Sequence, residues 1–200
     1  MSEQSSVHAY LNWAKQRIDE MDAALASLET KASQLADESK VKSDQLIAEL
    51  KKRRDEFQIT VKKQAENSEA AWERTKPQLE SQWNAYQAQL KTYFETAGKQ
   101  LDQQQATFKS TAAAQAKAWR EAADNFQKEA AKVAVAKRSE IEESIKKMKV
   151  DAADAQARLH KLGSESWTAF SAALAESRKA FDKANNEVAN ALKRAAPAQR

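Results

Sequence analysis

Apolar side chains recur along this chain at helical spacing, in rows so narrow that they restrict what it can fold into. Leu11, Ile18 and Leu25 form one row with a seven-residue step, and Met21, Leu28 and Leu35 form the next. From Leu46 the step lengthens to eleven: Leu46, Phe57, Leu79, Leu90 and Leu101 lie on one row, interrupted at Ser68, and Leu50, Val61, Trp72, Trp83 and Phe94 lie on a second. Eleven residues make about three turns, so such rows run nearly straight along a helix. The second half repeats the device more sparsely, through Phe108 and Trp119, Ile141 and Ile145, and then Met148, Leu159, Phe170, Phe181 and Leu192. A stripe this narrow buries against one or two neighbouring helices and does not fill a broad core.

The residues between the rows agree. Two glycines and two prolines in 200 residues leave few places for turns, and Ala, Gln, Glu, Lys and Leu dominate. Glu38/Lys42, Glu49/Arg53, Glu142/Lys146 and Glu143/Lys147 are spaced i,i+4 with the acid first, each contributing ~0.3 kcal/mol to a solvated helix face. The pattern predicts an all-α fold: an elongated antiparallel helical hairpin or coiled coil of long amphipathic helices. Its first arm is residues 1–98 and its second 99–200, with the tip near Gly98. In that register Leu90 faces Phe108, Leu79 faces Trp119, Trp72 faces Phe126, Phe57 faces Ile141, Leu50 faces Met148 and Leu28 faces Phe170.

Other candidate breaks are the polar run Ala36 to Lys40, Gly163 followed by Ser164, where the row from Leu159 to Phe170 nevertheless runs through in phase and favours a continuous helix, and Pro77, where Thr75 and Gln78 have capping-box spacing that would suit a kink or a restart. Pro197 marks a frayed C-terminal end. An internal duplication is readable at an offset of 95, which sets Trp72, Leu79 and Tyr86 against Trp167, Leu174 and Phe181.

Candidate functional residues are few. The five tryptophans, Trp13, Trp72, Trp83, Trp119 and Trp167, stand out from a polar background, with Phe170 and Phe181 in phase with them. They read as helix-packing anchors, or alternatively as anchors for lipid or another apolar surface. Lys51, Lys52, Arg53 and Arg54, followed by Lys62 and Lys63, form a possible anion patch. Interleaved acids and the absence of an aromatic platform favour a solvated face over nucleic acid. With 33 basic and 29 acidic residues the charge is mixed, which also makes a general nucleic-acid binder unexpected. No cysteine is present, and His8 and His160 are remote in sequence, each without a second histidine at metal-binding spacing. No catalytic residue, cofactor or metal is therefore expected, nor is a membrane span, and a cytoplasmic location is the default.

Two family resemblances add to this reading. Tyr10-Leu11-Asn12-Trp13 with Ile18-Asp19, then Glu69-Ala70-Ala71-Trp72 continuing through Leu79, Trp83 and Tyr86, resembles the small bacterial coiled-coil proteins described as stress-response proteins. The likeness spans Tyr10 to Phe94, echoes weakly at Ser164 to Ala184, and departs from that family at Pro77 and in chain length. It implies a long-helix, non-enzymatic protein linked to stress tolerance. The eleven-residue period, abundant Ala and absent Cys resemble apolipoprotein-type repeats and phasins, although regular prolines are missing. The expected function is a self-associating structural or scaffolding coiled coil whose partner is itself, as a homo-oligomer, or another helical protein. A coat on an anionic lipid or other apolar surface is the alternative, and nucleic-acid binding through the basic patch comes third.

Overall fold

The computed structural model describes residues 2–65, 67–163 and 165–195, and every regular element among them is helical. The α-helices are α1 (Ser2–Ala32), α2 (Asp37–Gln64), α3 (Glu69–Thr96), α4 (Leu101–Ala131), α5 (Ser139–His160) and α6 (Trp167–Ala195), with a short 3₁₀ turn at Val135–Lys137 before α5. The chain therefore reverses at four further places besides Gly98, and each expected arm is three helices folded back on themselves. Pro197 and Ser164 lie outside the described residues.

The reversals follow from local chemistry. The gap in the eleven-residue row, Ser68, lies in the turn between α2 and α3, where its extended backbone (ψ 162°) leaves its carbonyl to accept from Trp72 N–H. Gly98 sits where the chain leaves α3, its N–H bonded to the Tyr93 carbonyl at 2.8 Å. A Cβ there would come within 2.6 Å of the Tyr93 ring, so only glycine fits without displacing it. Pro77 does not interrupt α3, which runs through it; Thr75 spends its hydroxyl on the Ala71 carbonyl and caps no new helix. Gly163 lies between α5 and α6, so the in-phase row from Leu159 to Phe170 does not run along one helix; a Cβ there would meet nothing among the described residues, and the Gln105 amide donates to its carbonyl.

In each half three helices pack up, down and up. Arg54 on α2 meets Asp22 on α1, and Thr60 meets Gln82 on α3, with numbers rising on one helix as they fall on the other. In α3, Tyr86 donates to the Met21 carbonyl and Trp72 stacks on Tyr10, which sets α3 parallel to α1. The second half repeats this: Lys149 on α5 meets Gln127 on α4, Lys147 meets Glu187 on α6, and Phe108 of α4 stacks on Phe170 of α6 while Trp119 meets Phe181 edge-on. The halves join where α1 runs antiparallel to α4, through Ser27 to Thr107, Gln115 to Glu20 and Asn125 to Asn12.

The buried positions of the two halves correspond, at an offset of 98 and not 95. The buried α2 positions Ser43, Ile47, Leu50, Phe57 and Val61 are answered in α5 by Ile141, Ile145, Met148, Ala155 and Leu159. Trp72, Leu79, Trp83, Tyr86 and Leu90 are answered in α6 by Phe170, Ser177, Phe181, Ala184 and Val188. A slip of three residues is nearly one helical turn, so it keeps the same face and disguises the register.

The apolar interior forms two clusters, one centred on α1, α2 and α3 and one on α4, α5 and α6. Of the pairs expected from a single hairpin, Leu90 with Phe108 and Leu28 with Phe170 share the first cluster. Leu79 and Trp119, Trp72 and Phe126, Phe57 and Ile141, and Leu50 and Met148 are divided between the two. The turns at 33–36 and 65–68 thus replace the simple hairpin register by two apolar clusters, the first of which also takes in Phe108, Leu159, Trp167, Phe170 and Leu174 of the second half.

Candidate functional site: aromatic anchors and a buried ionic seam

Every tryptophan lies inside the fold. Trp72 is fully buried, and the most exposed of the five, Trp167, keeps only 8 % of its surface. Phe170 and Phe181 are likewise buried. The anchors are brought together in pairs: Trp13 against Phe57, Phe94 against Trp167 with ring centroids 4.2 Å apart, and Trp119 edge-on to Phe181 at 5.2 Å. Aromatic pairs of this geometry add ~0.5–1.5 kcal/mol each beyond the area they bury.

Between the two apolar clusters runs a polar seam that the sequence reading missed. Glu20 on α1 is 1 % exposed and accepts from Arg178 Nε of α6 at 2.7 Å, from Gln16 Nε2 at 3.1 Å and from Gln115 Nε2 of α4 at 2.5 Å. One turn toward the N-terminus, Arg17 grips Asp182 with both terminal nitrogens at 2.7 Å, and its guanidinium lies 4.5 Å from the centre of the Trp13 ring. Arg178 stands over Trp83 in the same way, at 4.9 Å. Further along, Asn12 bonds Asn185, whose amide donates to the Ala9 carbonyl. A buried charge survives only when paired and hydrogen-bonded; here each one is paired, with Arg17 Nε left as a buried donor without a partner among the described residues. The signal was present in the sequence: Trp13, Arg17 and Glu20 fall on the face that also carries Met21, Ala24 and Leu28, so charged residues stand at core register.

A cleft of about 560 Å³ opens beside the seam between α1, α3 and α6. Its walls include Arg17, Lys76, Arg178 and Lys193 but also Glu69, Glu73, Glu80 and Asp182, so it carries no marked excess of either charge. Tyr86, whose hydroxyl donates to the Met21 carbonyl, has its pKa pushed well above the usual value, first by burial and then by Asp22 and Glu20. Lys15 links α1 to α4 through Glu121. Burial works against the Lys15 charge, but hydrogen bonds to Asp19 and Glu121 outweigh it and raise its pKa, while the bond from Lys15 leads in lowering that of Glu121.

The expected anion patch is partly engaged. Lys51 pairs with Glu29, and Arg54 with Asp22 and Asp55, so these cations hold α2 against α1. Arg53 is half-buried, and Lys52, Lys62 and Lys63 are exposed. The two histidines stay apart: His8 lies 3.6 Å from Glu129, and His160 ends α5. Among the described residues no group of three His, Cys, Asp or Glu side chains is placed to hold a metal ion, and no helix is long and apolar enough to cross a membrane.

Comparison with protein-family models, with curated proteins and with solved structures returned no match.

Proposed function

We propose that the chain is a non-enzymatic structural or scaffolding protein that acts as a helical module and meets other helices, its own copies included, through its outer faces. The observation that carries this reading is the burial of all five tryptophans with Phe170 and Phe181. Anchors already satisfied inside the fold are not waiting for a surface. Support for self-association comes from α2, where Val41, Ala48, Lys52 and Ile59 share one exposed face, Val41 and Ile59 being 60 % and 53 % exposed. The stress setting implied by the family resemblance belongs to the same proposal.

A surface coat is the second reading, favoured by the polar seam: two apolar clusters with a hydrogen-bonded layer between them are a natural place for helices to part. Opening requires the surface to replace the apolar contacts given up, and only a difference in affinity between closed and open states can drive it. Analytical ultracentrifugation with and without anionic vesicles, read together with tryptophan emission, separates the two. The structural reading expects concentration-dependent association, no emission shift with neutral vesicles and at most a weak, salt-sensitive shift with anionic ones. A strong blue shift with gain of helicity on neutral lipid would establish the coat instead.

A further inference from the structure

The two halves share one burial register, so each position in one can be compared with its counterpart 98 residues away, and one place stands out. In the first half Leu11 and Ile18 of α1 pack, partly buried, against the apolar cluster. Their counterparts in α4 are Lys109 and Ala116. Lys109 is no smaller than Leu11 but puts a charge where that chain has an apolar group, and Ala116 lacks the branched side chain of Ile18; beside them lies a groove of about 560 Å³ between α4 and the end of α5, floored by Phe108, Ala112, Ala116, Leu159 and Leu162.

The charges change at the same place. Asp22, which pairs with Arg54 in the first half, has Arg120 as its counterpart, and Arg54 has Ala152. Arg120, Lys109 and His160 rim the groove, no carboxylate lines it, and none of the three makes an ion pair among the described residues. Glu121, the next residue along α4, is occupied by Lys15 and Lys117. The groove thus combines an apolar floor with unpaired positive charge, whereas the cleft beside the seam mixes both signs.

We propose that this groove binds a single-chain anionic amphiphile, a fatty carboxylate. Its carboxylate would sit between Arg120 and His160, where the guanidinium fork matches a carboxylate's two oxygens. Its tail would run over Ala116 and Ala112 toward Phe108 and Leu162. Arg120 to Phe108 spans about 18 Å of helix, room for one extended chain of medium length, and the volume is in the ordinary range for a small-molecule site. Two walls of helix leave space for one chain, which selects a free fatty carboxylate over a two-chain lipid in a bilayer. The inference does not depend on the scaffold reading.

The test is isothermal titration of the full chain with dodecanoate below its micelle concentration, beside dodecanol and dodecyltrimethylammonium. Saturable binding of one dodecanoate is expected, with dodecanol and the cation weaker by about tenfold or more. Ala116→Ile, which restores the side chain found at Ile18, and Arg120→Gln, an exposed change that leaves the core alone, should each weaken dodecanoate by about tenfold or more while far-UV circular dichroism stays unchanged. Binding to phosphatidylglycerol vesicles should be indifferent to both substitutions. Absent or unsaturable dodecanoate binding, equal binding of all three probes, or undiminished binding by the folded Arg120→Gln protein would overturn the proposal. So would vesicle binding that falls in parallel with these variants, because the groove would then be serving a bilayer.

Discussion

Removing Arg178 tests the ionic seam most directly. Arg178→Met keeps an unbranched side chain of similar reach but deletes the Nε and Nη2 bonds to Glu20, at 2.7 and 3.4 Å, and the contact over Trp83. Glu20 then remains a nearly inaccessible carboxylate held only by the amides of Gln16 and Gln115. Breaking a buried pair from one side costs ~3–5 kcal/mol, and the lost guanidinium–indole contact contributes about 1 kcal/mol toward that figure. Against a stability of about 5–15 kcal/mol this is a large fraction. With a urea slope of about 2 kcal/mol per molar, the unfolding midpoint followed by far-UV circular dichroism should fall by about 2 M. The double variant Glu20→Met with Arg178→Met removes both charges and should be more stable than the single one, since no buried charge is left unpaired. A single substitution costing under about 1 kcal/mol, or a double variant whose cost is the sum of the two singles, would refute the view that the seam is held by this pair.

Trp72→Ala should destabilise the first cluster by about 3–5 kcal/mol in the same urea assay, because Trp72 is fully buried and stacked on Tyr10; an unchanged midpoint would mean that the ring is dispensable. Gly98→Ala should cost about 1–3 kcal/mol, since Tyr93 cannot move aside without straining its bonds to Ser43 and Gln103. Tyr86 keeps its proton in the fold above the pH at which it would ionise in the unfolded chain. Stability should therefore be intact below pH 10 and fall by about 1.4 kcal/mol per unit above it, as followed by tyrosinate absorbance and circular dichroism; Tyr86→Phe should flatten that slope. Glu121 has its pKa lowered from 4.5, so its contribution is present above that pH and is lost as pH falls further; Glu121→Gln should reduce the acid sensitivity of the melting temperature, and an identical acid profile would count against the Lys15 link.

Much of the fold was legible because burial follows the helical period. Trp72, Trp83 and Phe94 fall on one eleven-residue row and are buried as one stripe on α3. The turns were harder. Those at 33–36 and 65–68 contain neither glycine nor proline, and the eleven-residue rows stay in phase across the second, so two helices looked like one with a gap at Ser68. The site was least legible. Glu20 and Arg178 are ordinary surface residue types, and only the pairing of helices far apart in sequence, α1 with α6, turns them into a buried pair. The groove beside Ala116 was invisible for a related reason: a missing side chain shows only once the register of the two halves supplies the Ile18 with which to compare it.

The seam also fixes an order of events during synthesis. Asn12, Arg17 and Glu20 find their partners Asn185, Asp182 and Arg178 between 158 and 173 residues later in the chain. At about 5–20 residues per second, α1 spends roughly ten seconds or more with these polar groups facing water before α6 exists to receive them. The first half can condense around Trp72 and Phe57 in that interval, and α4 can reach Asn12 and Glu20 through Asn125 and Gln115, but the side of α1 that meets Arg178 and Asp182 stays open until the last helix arrives. Anything that binds the nascent chain at that face would compete with α6 itself.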